Sequence, residues 1–321
     1  MSFELILPFL RPIEPLLLDD SISEIMCNPD ASWWYERDGI IRREEAISFD
    51  AGRLRTGLEV IANQLGKRLD EDNPVLHAQL PDGSRLAAVI PPVVRPAPAL
   101  TIRKFTSHRY TIDDLIDRGT LTRALADFLE AQIRSGKTLL ISGGTGSGKT
   151  TLLQILAQAI PEHERIVVIE DTAELCIRKP NILAVECQAH TFKAAISFDD
   201  LLKSALRWRP DRIILGEVRG IEARTLLDSF NTGHDGSLAT IHAHSAARAL
   251  SRFANLVMRS HAQAALSDVE AEIGEAVEFI IHAERQRGRR IIREVLALKG
   301  YDRSTKRFLM EPIYEVDHEP A

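Results

Sequence analysis

A chain of 321 residues with a hydrophobic fraction of 45% has the composition of ordinary folded protein and enough length for two domains. Its formal net charge of -6 argues against a protein whose main work is gripping nucleic acid, a task that calls for a basic excess, so nucleic acid is not indicated as a partner. Three cysteines, Cys27, Cys176 and Cys187, form no C-x-x-C pair, which excludes a disulfide framework and a cysteine zinc module and leaves them as expected core thiols of a reducing compartment.

Residues 1–105 read as a small α+β unit, PAS-like in outline. It has a helical start, strand-like stretches around Ile25 and over 33–37, and a helix over 51–67. Extended segments at 75–80 and 85–90 flank Pro81-Asp82-Gly83-Ser84, a sequence suited to the tight turn of a hairpin. Pro91, Pro92, Pro96 and Pro98 bar a helix from the next stretch, and 100–105 returns to a strand pattern. Residues 106–119 are the expected linker.

From 120 to 321 helical and strand patterns alternate: helix 121–135, strand at Leu139, helix after Lys149, strand 166–169, helix 198–207 and strand 213–215. Helices over 246–261 and 267–276 follow, then strands over 277–282 and 291–298. Such alternation marks a parallel sheet flanked by helices, so the predicted fold class is α/β. The basic cluster 285–293 falls between two strand patterns and reads as a solvated turn. No uncharged run approaches the ~18 apolar residues of a spanning helix. The N-terminus has no basic region ahead of its apolar stretch, so a cytoplasmic protein that meets membranes through partners is expected.

The chemistry starts at Gly143-Gly144-Thr145-Gly146-Ser147-Gly148-Lys149-Thr150, followed by Thr151. An apolar strand before it and a helix after it are the setting of a nucleotide phosphate loop, in which backbone N–H groups curl around phosphate oxygens. Lys149 is expected to reach the β- and γ-phosphates of ATP, and Thr150 to offer its hydroxyl to Mg²⁺. The strand 212–215 then delivers Gly216-Glu217 to the sheet edge where open α/β sheets hold ligands, placing Glu217 to orient water. Where many phosphate-loop enzymes carry a metal-binding aspartate this chain has Gly216, so that duty passes to water or another carboxylate. The strand 166–169 ends in Glu170 and Asp171, with Glu174 just beyond, a second set of carboxylates for water or metal-bound water. Gly233 to Gly236 and Thr240 to His242 bracket a short strand, which is expected to bring His234 and His242 to one sheet edge.

Gly143 to Thr151, Ile169 to Leu175, Arg209 to Gly220 and Thr232 to His242 resemble the four ordered boxes of the type II/type IV secretion traffic ATPases. Glu24-Ile25-Met26 with Asn28-Pro29, the turn at Pro81 to Arg85, and Leu100 to Phe105 resemble the branch serving conjugative transfer and Tad-type pilus assembly. The resemblance spans about residues 15 to 300. It implies an N-terminal α+β domain, a RecA-like domain with a mainly parallel sheet, ATP hydrolysis, and homo-hexamers docked peripherally on inner-membrane components of a secretion or pilus machine. It also implies arginines from the N-terminal side that complete the site, carried to Arg103 first and Arg85 second, with Arg219 supporting Glu217. His244 stands where the branch often has Asn and carries no assigned role. A ring motor on nucleic acid, or a scaffold that binds ATP without turning it over, shares the phosphate loop and remains an alternative at this point.

Overall fold

The structure, a computed structural model, describes residues 7–37, 39–47, 50–105, 110–187, 196–260, 264–286 and 288–316. The chain forms two compact units, Met1–Arg109 and Tyr110–Ala321.

In the first unit, helical turns at Leu7–Leu10 and Glu14–Leu18 lead into β1 (Ile22–Cys27), β2 (Trp33–Arg37) and β3 (Ile40–Glu44). Helix α1 (Ala51–Gln64) precedes β4 (Val75–Gln79), β5 (Arg85–Val89) and β6 (Ala99–Arg103). The strands form one sheet in the order β3-β2-β1-β6-β5-β4, antiparallel at every pairing. Period-two residues Leu76, Ala78, Leu86, Ala88, Leu100 and Ile102 share a core with Leu54, Leu58 and Ile61, which recur at helical spacing on α1. Asp50 caps α1 by accepting the Arg53 N–H. The helix stops three residues short of the expected end because Gly66, at φ +67°, turns the chain and lets the Lys67 N–H bond Ala62 O. Strand β3 has no sequence signature, since its residues are mostly exposed and show no alternation.

The second unit begins inside the expected linker. Residues 106–109 of that linker lie outside the described residues, but Ile112–Asp117 is a helix, α2, started by a reciprocal capping box between Thr111 and Asp114. There follow α3 (Arg123–Arg134), β7 (Leu139–Gly143), α4 (Lys149–Ala157), β8 (Ile166–Glu170), β9 (Ile182–Glu186) and α5 (Phe198–Ala205). Then come β10 (Arg212–Val218), α6 (Glu222–Phe230), β11 (Leu238–His242), α7 (Ala246–Ser260), α8 (Leu266–Ala276), β12 (Phe279–Gln286), β13 (Arg289–Asp302) and β14 (Arg307–Glu315). The sheet order is β14-β13-β12-β7-β11-β10-β8-β9, with parallel pairing from β12 to β9 and antiparallel pairing of β13 and β14.

Strands β7 and β8 are buried at every residue, as a parallel strand covered on both faces must be. One face packs against α2, α3 and α4, the other against α5 to α8. Each Leu or Ile fully buried in these layers contributes about 1.5–3 kcal/mol. Strands β9 and β14 escaped the sequence reading because they lie at the sheet edges and leave many side chains exposed. Helix α6 escaped it because Ile221 provides no capping side chain.

The basic cluster corrects the expectation of a solvated turn. Arg285 belongs to β12, while Arg289, Arg290 and Arg293 belong to β13, and Arg293 is buried.

Candidate active site

Parallel strands end together, and here the ends of β7, β11, β10 and β8 present the polar residues that the sequence singled out. In register, Gly143 pairs with His242, and Leu215 pairs with Ile169 one step before Gly216 and Glu170.

The phosphate loop leaves β7 at Gly143, where a Cβ would stand 2.2 Å from Ala283 O on β12. No side chain fits there, so this glycine permits close approach of two strands as well as curvature of the loop. Gly146 and Gly148 sit at φ +71° and +91°, the left-handed turns that swing the loop into α4. Lys149 is buried, and its Nζ donates to the carbonyls of Gly143 (3.0 Å) and Gly144 (2.8 Å). Thr150 and Thr151 form the first turn of α4, whose N–H groups and dipole favour an anion. The structure thus brings Gly143 to Thr151 into one cradle, and its glycine-dependent shape fits a nucleotide phosphate chain.

Gly216 is explained by its neighbour. A Cβ there would come within 3.3 Å of Glu170 Cγ, so the missing side chain makes room for the Glu170 side chain beside β10. Glu170 itself is buried, and its Oε1 accepts the N–H groups of Glu174 (3.0 Å) and Leu175 (2.9 Å). One carboxylate oxygen of Glu170 thus braces its own loop. Glu174 joins this arrangement through its backbone N–H. A β-bulge between Leu215 and Val218 re-aims the strand at Glu217. Glu217 Oε2 accepts from Arg219 Nη2 at 2.9 Å, and Arg219 Nη1 reaches Asp171 Oδ2 at 3.2 Å. That pairing, led by the Glu217 hydrogen bond, pushes the guanidinium pKa further up. Thr240 on β11 donates to Gly216 O at 2.6 Å and ties the two strand ends together.

His242 and His234 separate. His242 ends β11 beside Gly143, and burial, followed by the charge of Lys149, lowers its pKa and keeps the imidazole neutral. His234 precedes β11, so the whole strand stands between it and the cradle, and its Nδ1 lies 3.2 Å from Ser229 O at the end of α6. The expectation that both histidines share a sheet edge fails because Thr240 to His242 belong to the strand instead of following it. Arg85 and Arg103 lie in the first unit, where they are cross-strand partners on β5 and β6, and Arg103 Nε stands 3.9 Å from Glu24.

Sequence reasoning missed His282. It is buried on β12, and its Nδ1 shares a hydrogen bond with Ser142 Oγ at 2.9 Å, while that Oγ also lies 3.2 Å from Ile281 O. Burial lowers the His282 pKa as well. The signal was absent because nothing in chain order says that β12 adds beside β7. A cavity of about 470 Å³ adjoins the loop here, lined among others by Thr145, His244, His282, Arg285 and Arg293. Cys27 is buried, with its thiol pushed up to about 11; Cys176 and Cys187 are half-buried, and Cys187 packs against the core of the second unit.

The model of the family described as type II/IV secretion system protein matches residues 10–287. The chain belongs to that family. A conjugal transfer protein, TrbB, of Rhizobium radiobacter is 39% identical over 290 residues, 88% of this chain and 86% of that protein. A type IV secretion system protein, VirB11, of Bartonella quintana is 30% identical over 328 residues, with 91% and 92% of the two chains covered. Among solved structures, the VirB11 ATPase of the Brucella suis type IV secretion system, in complex with sulphate, is similar at 27% identity and a TM-score of 0.50, covering 91% of this chain and 94% of that one. The Legionella pneumophila ATPase DotB shares the fold at a TM-score of 0.64 and 19% identity, covering 90% and 80%. This member of the secretion family is accordingly an ATPase with an N-terminal α+β unit and a RecA-like domain. No helix among the described residues is long and apolar enough to cross a membrane.

Proposed function

We propose that the chain is the ATP-hydrolysing motor of a type IV secretion or conjugative transfer system, or of a Tad-type pilus, and that it works as a homo-hexamer docked on inner-membrane partners. The observation that supports the reading best is the placement of one cradle and one half-buried carboxylate, Glu217, at the same sheet edge, on β7 and β10 with β11 between them.

Hydrolysis in such a site is positioning and charge stabilisation, with water as nucleophile. The cradle and Lys149 hold the phosphate chain, and Lys149 must trade its bonds to Gly143 O and Gly144 O for phosphate oxygens. Glu217 accepts a hydrogen bond from the attacking water and aligns it with the γ-phosphorus. Arg219 holds that carboxylate in place through its Nη2 hydrogen bond. Neutral His242, next to Lys149, adds a donor without adding a charge. Thr150 would hold Mg²⁺ through its hydroxyl and Glu170 would engage its water shell; the ion would supply charge neutralisation on the phosphates. Arg103 and Arg85, cross-strand partners on β6 and β5, are the arginines proposed to complete the site.

The test is phosphate release from MgATP by the purified full chain, with sedimentation to count subunits. Parent protein turns over, and Lys149→Ala lowers turnover to background and weakens ATP binding by about tenfold or more. Unchanged turnover in Lys149→Ala contradicts the reading.

A further inference from the structure

The hairpin of β12 and β13 lies against the outer wall of the phosphate loop. Arg290 on β13 donates from Nε to Gly146 O at 3.1 Å. Its stem crosses the next glycine, since a Cβ on Gly148 would meet Arg290 Cδ at 3.1 Å. Arg285 on β12 brings Nη1 within 3.6 Å of the corresponding position on Gly146. The two left-handed glycines that shape the cradle are thus spanned by one arginine side chain, which comes from 144 residues further along the chain.

The consequence follows from backbone geometry. Gly146 O belongs to the peptide whose N–H is that of Ser147, so a donor that holds this carbonyl fixes that peptide plane and turns its N–H to the opposite side, where it meets Gly144 O at 3.4 Å within the loop. Left-handed glycines are conformationally permissive, so a loop built on two of them gains order from a contact outside it. We propose that Arg290 is a positioning residue for nucleotide binding: its Nε hydrogen bond preorganises the phosphate loop, so that the loop peptides need not be ordered when ATP arrives. The inference rests on ATP binding in the cradle and adds a residue outside the four sequence boxes. Arg285 supplies a second positive charge to the same wall.

The proposal separates a hydrogen bond from a charge through side-chain length. Glutamine places its amide nitrogen on Cδ, the same depth as arginine Nε, and methionine has a similar stem without a donor. ADP and ATP binding to the full chain is measured by calorimetry for the parent, Arg290→Gln, Arg290→Met and Lys149→Ala, with thermal unfolding recorded for each. Arg290→Gln is expected to bind within about threefold of the parent, Arg290→Met about tenfold more weakly, the worth of one such bond. Unfolding temperatures are expected to match the parent, because the side chain is exposed. Parent-like affinity in Arg290→Met, or equal weakening in Arg290→Gln and Arg290→Met, overturns the positioning role; the second outcome would leave only charge. Lys149→Ala separates the two readings, since undiminished binding there would remove the cradle itself as the nucleotide site.

Discussion

The two edges of the eight-stranded sheet are built from the same strands and do opposite work. At the N-terminal strand edge, polar groups are buried and braced. Arg212, with 4% of its side chain exposed, forms a two-point pair with Glu164, its Nη2 donating to Oε1 at 3.0 Å. Ser237 Oγ accepts the Ile213 N–H (2.9 Å) and donates to His234 O (2.7 Å), while Thr138 Oγ1 accepts the Gly236 N–H (3.1 Å). At the C-terminal edge, Lys149 holds loop carbonyls, and Glu217 is shared with Arg219, half of which faces solvent. One edge spends its polar groups on stability; the other braces Glu170 but leaves Lys149 and Glu217 on partners they can exchange, as an ATPase that meets a new phosphate chain at every turnover requires.

Breaking the braced edge should have the largest effect on folding. A Cβ on Gly236 would stand 1.3 Å from Arg212 Nη1 and 2.9 Å from Gly136 Cα, at φ +75°. Gly236→Ala must therefore expel Arg212 from its pair and strand a buried charge, which costs about 3–5 kcal/mol. A urea midpoint within error of the parent would show that the edge yields more easily than its packing implies. Where the protein stays folded, ATP affinity is expected to hold, because the damage lies a full strand length from the cradle.

A smaller effect sharpens the comparison through pH. His242 and His282, both at the site edge, have pKa values lowered by burial below the ordinary value of about 6.5. As pH falls below 6.5 the unfolded chain takes up protons on these rings before the folded chain does. Stability is therefore full above about pH 6.5 and declines as pH drops towards the folded values, by at most about 1.4 kcal/mol per pH unit for each ring. His282→Gln should flatten part of that decline in urea titrations at pH 7.5, 6.5 and 5.5. An unchanged slope would place the acid sensitivity elsewhere.

Much of this arrangement was legible in the sequence. The phosphate loop, the strand that delivers Glu217 and the antiparallel hairpin at Gly83 all carry local signatures: left-handed glycines, apolar runs and a turn sequence. The relatives confirm the family that those motifs resembled. What escaped was decided by strand order. His282, Arg285 and Arg290 reach the loop only because β12 inserts beside β7, a pairing 140 residues apart that no local pattern encodes. His234 was misplaced for the converse reason, since the strand boundary at Leu238 set it at the opposite edge from His242. Edge strands β3, β9 and β14 had too little burial to leave a periodic trace.

The central claim is that the Glu217 carboxylate orients the water that attacks ATP. Single-turnover hydrolysis by Glu217→Gln tests it most directly, because the amide keeps the shape and removes the charge. The account predicts ATP binding within about threefold of the parent and hydrolysis slower by about a hundredfold or more. Hydrolysis at the parent rate would contradict it.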